Sequence, residues 1–175
     1  MRKLIFGLAG LAICLLGISS FQWESKAAGA DWTMPPVKAV ERYKEKGTLH
    51  SPYKTKEERD KVAEEGHKIY LGLSCNGCHG GGGGGGMCPP LTNSVWVYGA
   101  DDDTLFRLVT DGSDKLQKDY GLTRIGSENV VGPMPAMGPA IKTSEDLWKI
   151  IAWIRTINPS SLDTESHVPP PPVFD

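Results

Sequence analysis

Five consecutive residues, Cys75-Asn76-Gly77-Cys78-His79, have the types and spacing to act on one group together. Two thiols separated by two residues and followed at once by an imidazole form the attachment signature for c-type haem. The thiols add across the two vinyl groups of the porphyrin, and one turn of helix separates them correctly. The next residue then points its imidazole at the iron from the same side. Zinc is the main competitor for a Cys-x-x-Cys pair, but a structural zinc site wants four ligands, usually with a second such pair. Here Cys88 is alone, and His50, His67 and His167 are scattered. A thioredoxin-like redox pair sits in a βαβ context, and no alternating strand pattern precedes Cys75. The pentapeptide therefore predicts one covalently held haem, with His79 on its iron.

Two helices have to position this pentapeptide. Thr55 to Leu73 reads as the first, with Thr55 as N-cap and Glu57, Glu58 and Asp60 near its positive end. Val62, Ile69 and Leu73, with Ala63 and Tyr70, supply an apolar face at helical spacing. Gly66 sits mid-helix, where it costs about 1 kcal/mol against alanine, and that cost suggests close approach of another helix. The partner is predicted at Thr143 to Ile157. Thr143 and Asp146 form a capping box, and Leu147, Ile150, Ile151 and Ile154 make a stripe flanked by Trp148 and Trp153. Asn158-Pro159 stops it. Between the two, Asn93 to Gly112 reads as a short extended piece and then a helix capped by Asp102 or Asp103. Leu105, Leu108 and Val109 face inward with Phe106 nearby. Trp96 and Tyr98 are expected to wall a pocket, where either could hydrogen-bond a haem propionate.

The chain has 175 residues and opens with Met1-Arg2-Lys3 and an apolar run from Leu4 to Ile18. That run is short of the ~20 residues a membrane span needs and fits the core of a secretory signal. Ala28-Gly29-Ala30 supplies a small-x-small pattern that places cleavage before Asp31, with an uncleaved anchor as the rival reading. Cys14 lies inside the run, after Ile13, which speaks against a lipoprotein. Residues 31–175 suit one domain with tails and carry 16 Lys and Arg against 20 Asp and Glu. That balance lacks the basic excess of a nucleic-acid binder. Three cysteines follow Ala30, an odd number that argues against a disulfide framework.

The segment EEGHKIYLGLSCNGCHG, followed by EDLWKIIAWIRTIN, resembles the class I cytochrome c fold over roughly Thr55 to Ile157. The resemblance implies an all-α domain in which a glycine and an aromatic on the first helix cross the last helix at its own aromatic. The matching positions are Gly66, Tyr70 and Trp153. It also implies that a proline carbonyl accepts the Nδ1–H bond of the haem histidine. Cys88-Pro89-Pro90-Leu91 matches that segment at the proline and leucine, with cysteine where glycine is usual, so Pro89 takes that role. Cys88 becomes an unpaired thiol near the haem, expected as a buried small hydrophobe. The preceding run of glycines, Gly80 to Gly86, reads in its middle as a slack surface loop.

A cytochrome that transfers electrons wants both axial positions filled, because a saturated iron changes little between oxidation states. Beyond Ala30 the methionines are Met34, Met87, Met134 and Met137. Met34 is in the N-terminal arm, and Met87 is too close to His79 to cross to the opposite face. That leaves the loop GPMPAMGPA. Met134-Pro135-Ala136 resembles the segment that supplies the distal ligand in many bacterial class I cytochromes, which selects Met134, with Met137 as the alternative. Asp111 to Val131 reads as a long loop with a mixed-charge surface at Asp114, Lys115, Lys118, Asp119 and Tyr120.

The organisation expected is thus a signal peptide (1–30), an N-terminal arm (31–54), the cytochrome domain (55–158) and a Pro-rich tail (159–175). The arm is read as lying outside the core, either solvated or docking a partner, with a short helix at Val37 to Lys46. The tail is read as extended polyproline. The glycine-rich stretch after the haem histidine, the W-x-YG at Trp96 to Gly99 and the arm resemble periplasmic cytochromes that accept electrons from PQQ-dependent alcohol dehydrogenases, including the c-L-like proteins of methylotrophs. Cys88, the length of the glycine run and the loop before Met134 depart from that group. The resemblance implies a periplasmic electron carrier, not an enzyme. A PQQ-dependent methanol or alcohol dehydrogenase would be its donor, and another cytochrome c or an oxidase its acceptor. Neither nucleic acid nor stable membrane insertion after signal removal is expected. Two other classes remain. One is the haem c subunit of another periplasmic oxidoreductase or oxidase; the other is a haem sensor or peroxidase-like protein with an open distal site.

Overall fold

The computed structural model describes residues 30–125 and 132–158. The expected signal peptide apart from Ala30, the Pro-rich tail, and residues 126–131 lie outside the described residues. Five α-helices and a 3-10 turn make up the described fold: α1 (Pro36–Arg42), α2 (Lys56–Gly72), α3 (Asn76–His79), α4 (Asp102–Tyr120), the turn Gly138–Ala140, and α5 (Ser144–Ile157). There is no strand among the described residues. No described helix is long and apolar enough to cross a membrane.

Helix α2 starts where its sequence says it should. The Thr55 hydroxyl accepts from the Glu58 N–H at 3.2 Å, and the Glu58 carboxylate accepts from the Thr55 N–H at 2.9 Å, a closed capping box. The backbone N–H groups of Thr55 and Lys54 hold the Glu58 carboxyl below the usual carboxylate range. Helix α5 is capped by Thr143, which accepts from the Asp146 N–H at 3.1 Å. The two helices cross at Gly66. A Cβ there would lie 2.0 Å from the Lys149 carbonyl oxygen, so the backbones touch and only glycine fits. Beside the crossing, the Tyr70 and Trp153 rings pack with centroids 4.5 Å apart, and His67 stacks on Trp153 at 4.4 Å. Tyr70, Ile150, Trp153 and Ile154 form one core cluster.

The N-terminal arm does not stand outside the core. Ala39, Val40 and Leu49 are buried in a second cluster with Phe106, Leu147, Trp148 and Ile151, and Trp32 packs edge-on to Trp148 at 5.4 Å. Trp148 is fully buried there, not flanking. The helix in the arm is also shorter than expected, Pro36–Arg42, with Pro36 at its first position, where its missing N–H costs nothing.

Helix α4 corrects the sequence reading twice. Its cap is Asp101, whose carboxylate accepts from the Thr104 N–H at 2.9 Å. Asp102 and Asp103 are instead buried and hold the arm. Asp102 accepts from the Ser51 N–H at 2.8 Å and from Arg155 at 2.6 Å. Asp103 accepts from the Leu49 N–H at 3.1 Å and from Arg107 Nε at 2.8 Å, and Arg107 Nη2 donates onward to the Tyr43 and Glu45 carbonyls. Nor does α4 stop at Gly112: it kinks there (φ 78°, ψ 167°) and runs on to Tyr120. Residues 113–120, read as loop, are therefore helical.

Candidate haem-binding site

The Cys75–His79 segment owes its position to a sharp turn at the end of α2. Leu73 caps that helix, and Ser74 takes φ 61°, turning the chain so that Cys75 opens α3. The His79 N–H donates to the Cys75 carbonyl at 3.0 Å, so both cysteines and the histidine lie on one helical turn. Cys75 and His79 line a cavity of about 400 Å³ whose other walls come from α4, α5 and the loops between. Cys78 and Cys75 are both half-buried free thiols. Burial pushes the Cys75 thiol up.

Behind the histidine, His79 Nδ1 lies 2.9 Å from the Pro89 carbonyl oxygen. A carbonyl can only accept, so Nδ1 carries the proton and Nε2 keeps its lone pair for a metal. The glycine run between the two is a surface loop, with Gly81, Gly82 and Gly84 exposed, but it is not slack, because hydrogen bonds pin it at several points. Gly85 N–H donates to the His79 carbonyl at 2.8 Å, and Leu91 N–H to Gly83 at 2.7 Å. The Tyr70 hydroxyl and His67 Nε2 donate to the Gly80 and Gly81 carbonyls at 2.6 and 2.7 Å. Gly83, the middle of the run, sits at φ 75°, and a Cβ there would meet the Ile157 side chain at 2.6 Å. Cys88 lines the cavity but is half-buried, more open than expected. Burial, then the neighbouring Cys78, pushes its thiol up.

Of the candidate distal methionines, Met134 lines the cavity. Met137 packs instead against the cluster around Trp148, as does Met34, while Met87 is 58% exposed. Trp96 and Tyr98 wall the cavity as expected, and Trp96 Nε1 is buried with no hydrogen-bond partner. Ser113 and Gln117, also on the wall, are not foreseen from the sequence, and Asp114, expected on a mixed-charge loop surface, lines the cavity from the second half of α4. A signal was present: Asp111, Lys115 and Asp119 recur at four-residue spacing, and Lys115 pairs with both at 3.3 and 3.0 Å.

A sequence model of the cytochrome c family matches residues 63–158. The chain therefore belongs to the cytochrome c family, with that family's covalently bound haem c, its iron and its electron-transfer role, on the all-α class I fold. Comparison with curated proteins gives no match. The residues present fit the group. The cavity is mostly apolar, and the Cys75 thiol, the tautomer-fixed His79 imidazole and the thioether-bearing residue Met134 line it, with Cys78 on the same helical turn as Cys75 and His79. The orphaned indole N–H of Trp96 lacks the acceptor that a buried polar group requires, and a carboxylate in the cavity would supply one.

Proposed function

We propose that the chain carries single electrons in the periplasm. Cys75 and Cys78 would hold haem c through thioethers, and His79 Nε2 and the Met134 thioether would be the protein's two ligands to its iron. The observation that carries this reading is the shared cavity of His79 and Met134, with Pro89 fixing the imidazole tautomer from behind. Bound haem supplies the one-electron couple of its iron. The rest belongs to the protein. Pro89 fixes the tautomer and orientation of the His79 ring through the Nδ1–H bond, the Met134 thioether would favour the ferrous state, and the apolar walls would keep water from the iron. The Trp96 N–H would donate to a haem propionate.

The donor is proposed to be a PQQ-dependent alcohol or methanol dehydrogenase, and the acceptor another cytochrome c or an oxidase. The supporting features are the glycine run after His79 and the Trp96 to Gly99 segment. Two measurements test the reading. The holoprotein should be low-spin with a sulfur-to-iron charge-transfer band, lost in Met134→Ala and kept in Met137→Ala. A high-spin iron that binds carbon monoxide or cyanide readily would point instead to an open distal site. Mixing a reduced PQQ-dependent dehydrogenase from the same source with the oxidised cytochrome should give rapid, salt-sensitive haem reduction. No reduction would remove the donor from the proposal.

A further inference from the structure

The break in α4 is shaped around the loop that carries Met134. In an unbroken helix the Ser113 N–H would donate to the Val109 carbonyl, four residues back. At Gly112 the backbone leaves the helical region (φ 78°), and that bond is given up. Both freed groups find partners in the methionine loop. The Ser113 N–H donates to the Met134 carbonyl at 3.0 Å, and the Val109 carbonyl accepts from the Met137 N–H at 2.9 Å. The Ser113 hydroxyl adds a third bond, accepting from the Met134 N–H at 3.0 Å. One residue thus holds both backbone polar groups of Met134.

The fit is close on either side of this clamp. A Cβ on Gly112 would lie 2.7 Å from the Met134 carbonyl oxygen and 2.8 Å from the Ala136 nitrogen. A Cβ on Gly138 would lie 2.7 Å from the Thr110 carbonyl oxygen. Ser113 itself is 4% exposed, so its bonds are made out of reach of water, where losing one leaves a donor unsatisfied.

We infer that Ser113 is the positioning residue for the distal ligand. It fixes the Met134 backbone on the rigid second half of α4, so that the thioether is presented to the iron without the loop having to be ordered at each encounter. This inference rests on the reading of Met134 as the axial ligand. Proline and glycine on both sides of Met134 cannot supply such rigidity through a helix or sheet of their own, and the chain borrows it from the helix next door.

The test uses the full-length holoprotein. Cyanide binding to the ferric iron reports how often the methionine leaves it. Ser113→Ala should keep the low-spin spectrum but take up cyanide about tenfold faster, the size expected for one buried hydrogen bond. Ser113→Thr, which keeps the hydroxyl, should restore the slow rate. In the unmodified protein the Met134 amide should exchange slowly with solvent deuterium, a measurement that stands even if Ser113→Ala does not fold. An unprotected Met134 amide, or a Ser113→Ala rate equal to the parent's, overturns the clamp. If the latter is found while Met134→Ala has lost the sulfur-to-iron band, the ligand assignment stands and the clamp alone fails. Retention of that band in Met134→Ala overturns both.

Discussion

Cys88 is the residue whose chemistry the haem leaves over. Cys75 and Cys78 are consumed when the haem is attached, so Cys88 is the thiol that remains beyond Ala30 in the proposed holoprotein. Burial raises its pKa above the ordinary value of 9.0, which means a smaller thiolate fraction at neutral pH. Thiol titration should therefore find one reactive group beyond Ala30. It should react more slowly than a free cysteine at pH 7 and accelerate as the pH rises past 9. Three reactive thiols would mean that the thioethers had not formed. Much at this scale was legible in the sequence. The single helical turn from Cys75 to His79 and the contact of His79 Nδ1 with the Pro89 carbonyl agree with pattern and resemblance, because both are local in the chain. The pinning of the glycine run was not legible, since its bonds run to backbone groups of Leu91 and His79 and to side chains of α2, none of which composition records.

Among the elements, the α2–α5 crossing is the least tolerant of change. Gly66→Ala places a methyl group where the Lys149 carbonyl already is, and the obstacle is backbone, which cannot rotate away. Separating the helices enough to admit it should cost about 1–3 kcal/mol, at the level of other overpacked cores. The loss is measurable as a lower denaturation midpoint of the holoprotein; an unchanged midpoint would show that the crossing is looser than described. This contact was foreseeable because a glycine inside a capped helix is costly unless something needs its absence of side chain. The length of α4 was not foreseeable in the same way. Gly112 is a legitimate stop signal, and it fails as one only because distant residues, Met134 and Met137, take up the bonds that the kink releases.

For the molecule as a whole, the arm is the main addition to what the sequence suggested. Its apolar residues, among them Trp32, Ala39, Val40 and Leu49, are interspersed with Lys38, Arg42, Lys44 and Lys46 and form no long periodic stripe, so local pattern does not show that they reach the core. What secures it is a buried ionic pair on α4, Asp103 with Arg107, together with Asp102 and Arg155. Asp103→Ala should cost about 3–5 kcal/mol, because it removes the partner of a fully buried guanidinium. Release of the arm should follow, seen as faster amide exchange at Leu49, whose N–H loses its acceptor. Stability unchanged by this substitution would mean that the arm is held by its apolar contacts alone.

The Lys149–Glu65 ion pair, which bridges α2 and α5 at 2.9 Å, joins residues 84 positions apart in the chain. Closing so large a loop is slow compared with forming either helix. Because synthesis proceeds from the N-terminus, the CNGCH segment is complete well before the residues of α5 exist to cover it. The order of events is therefore built into the chain: the thiols are accessible first, and the crossing at Gly66 closes afterwards.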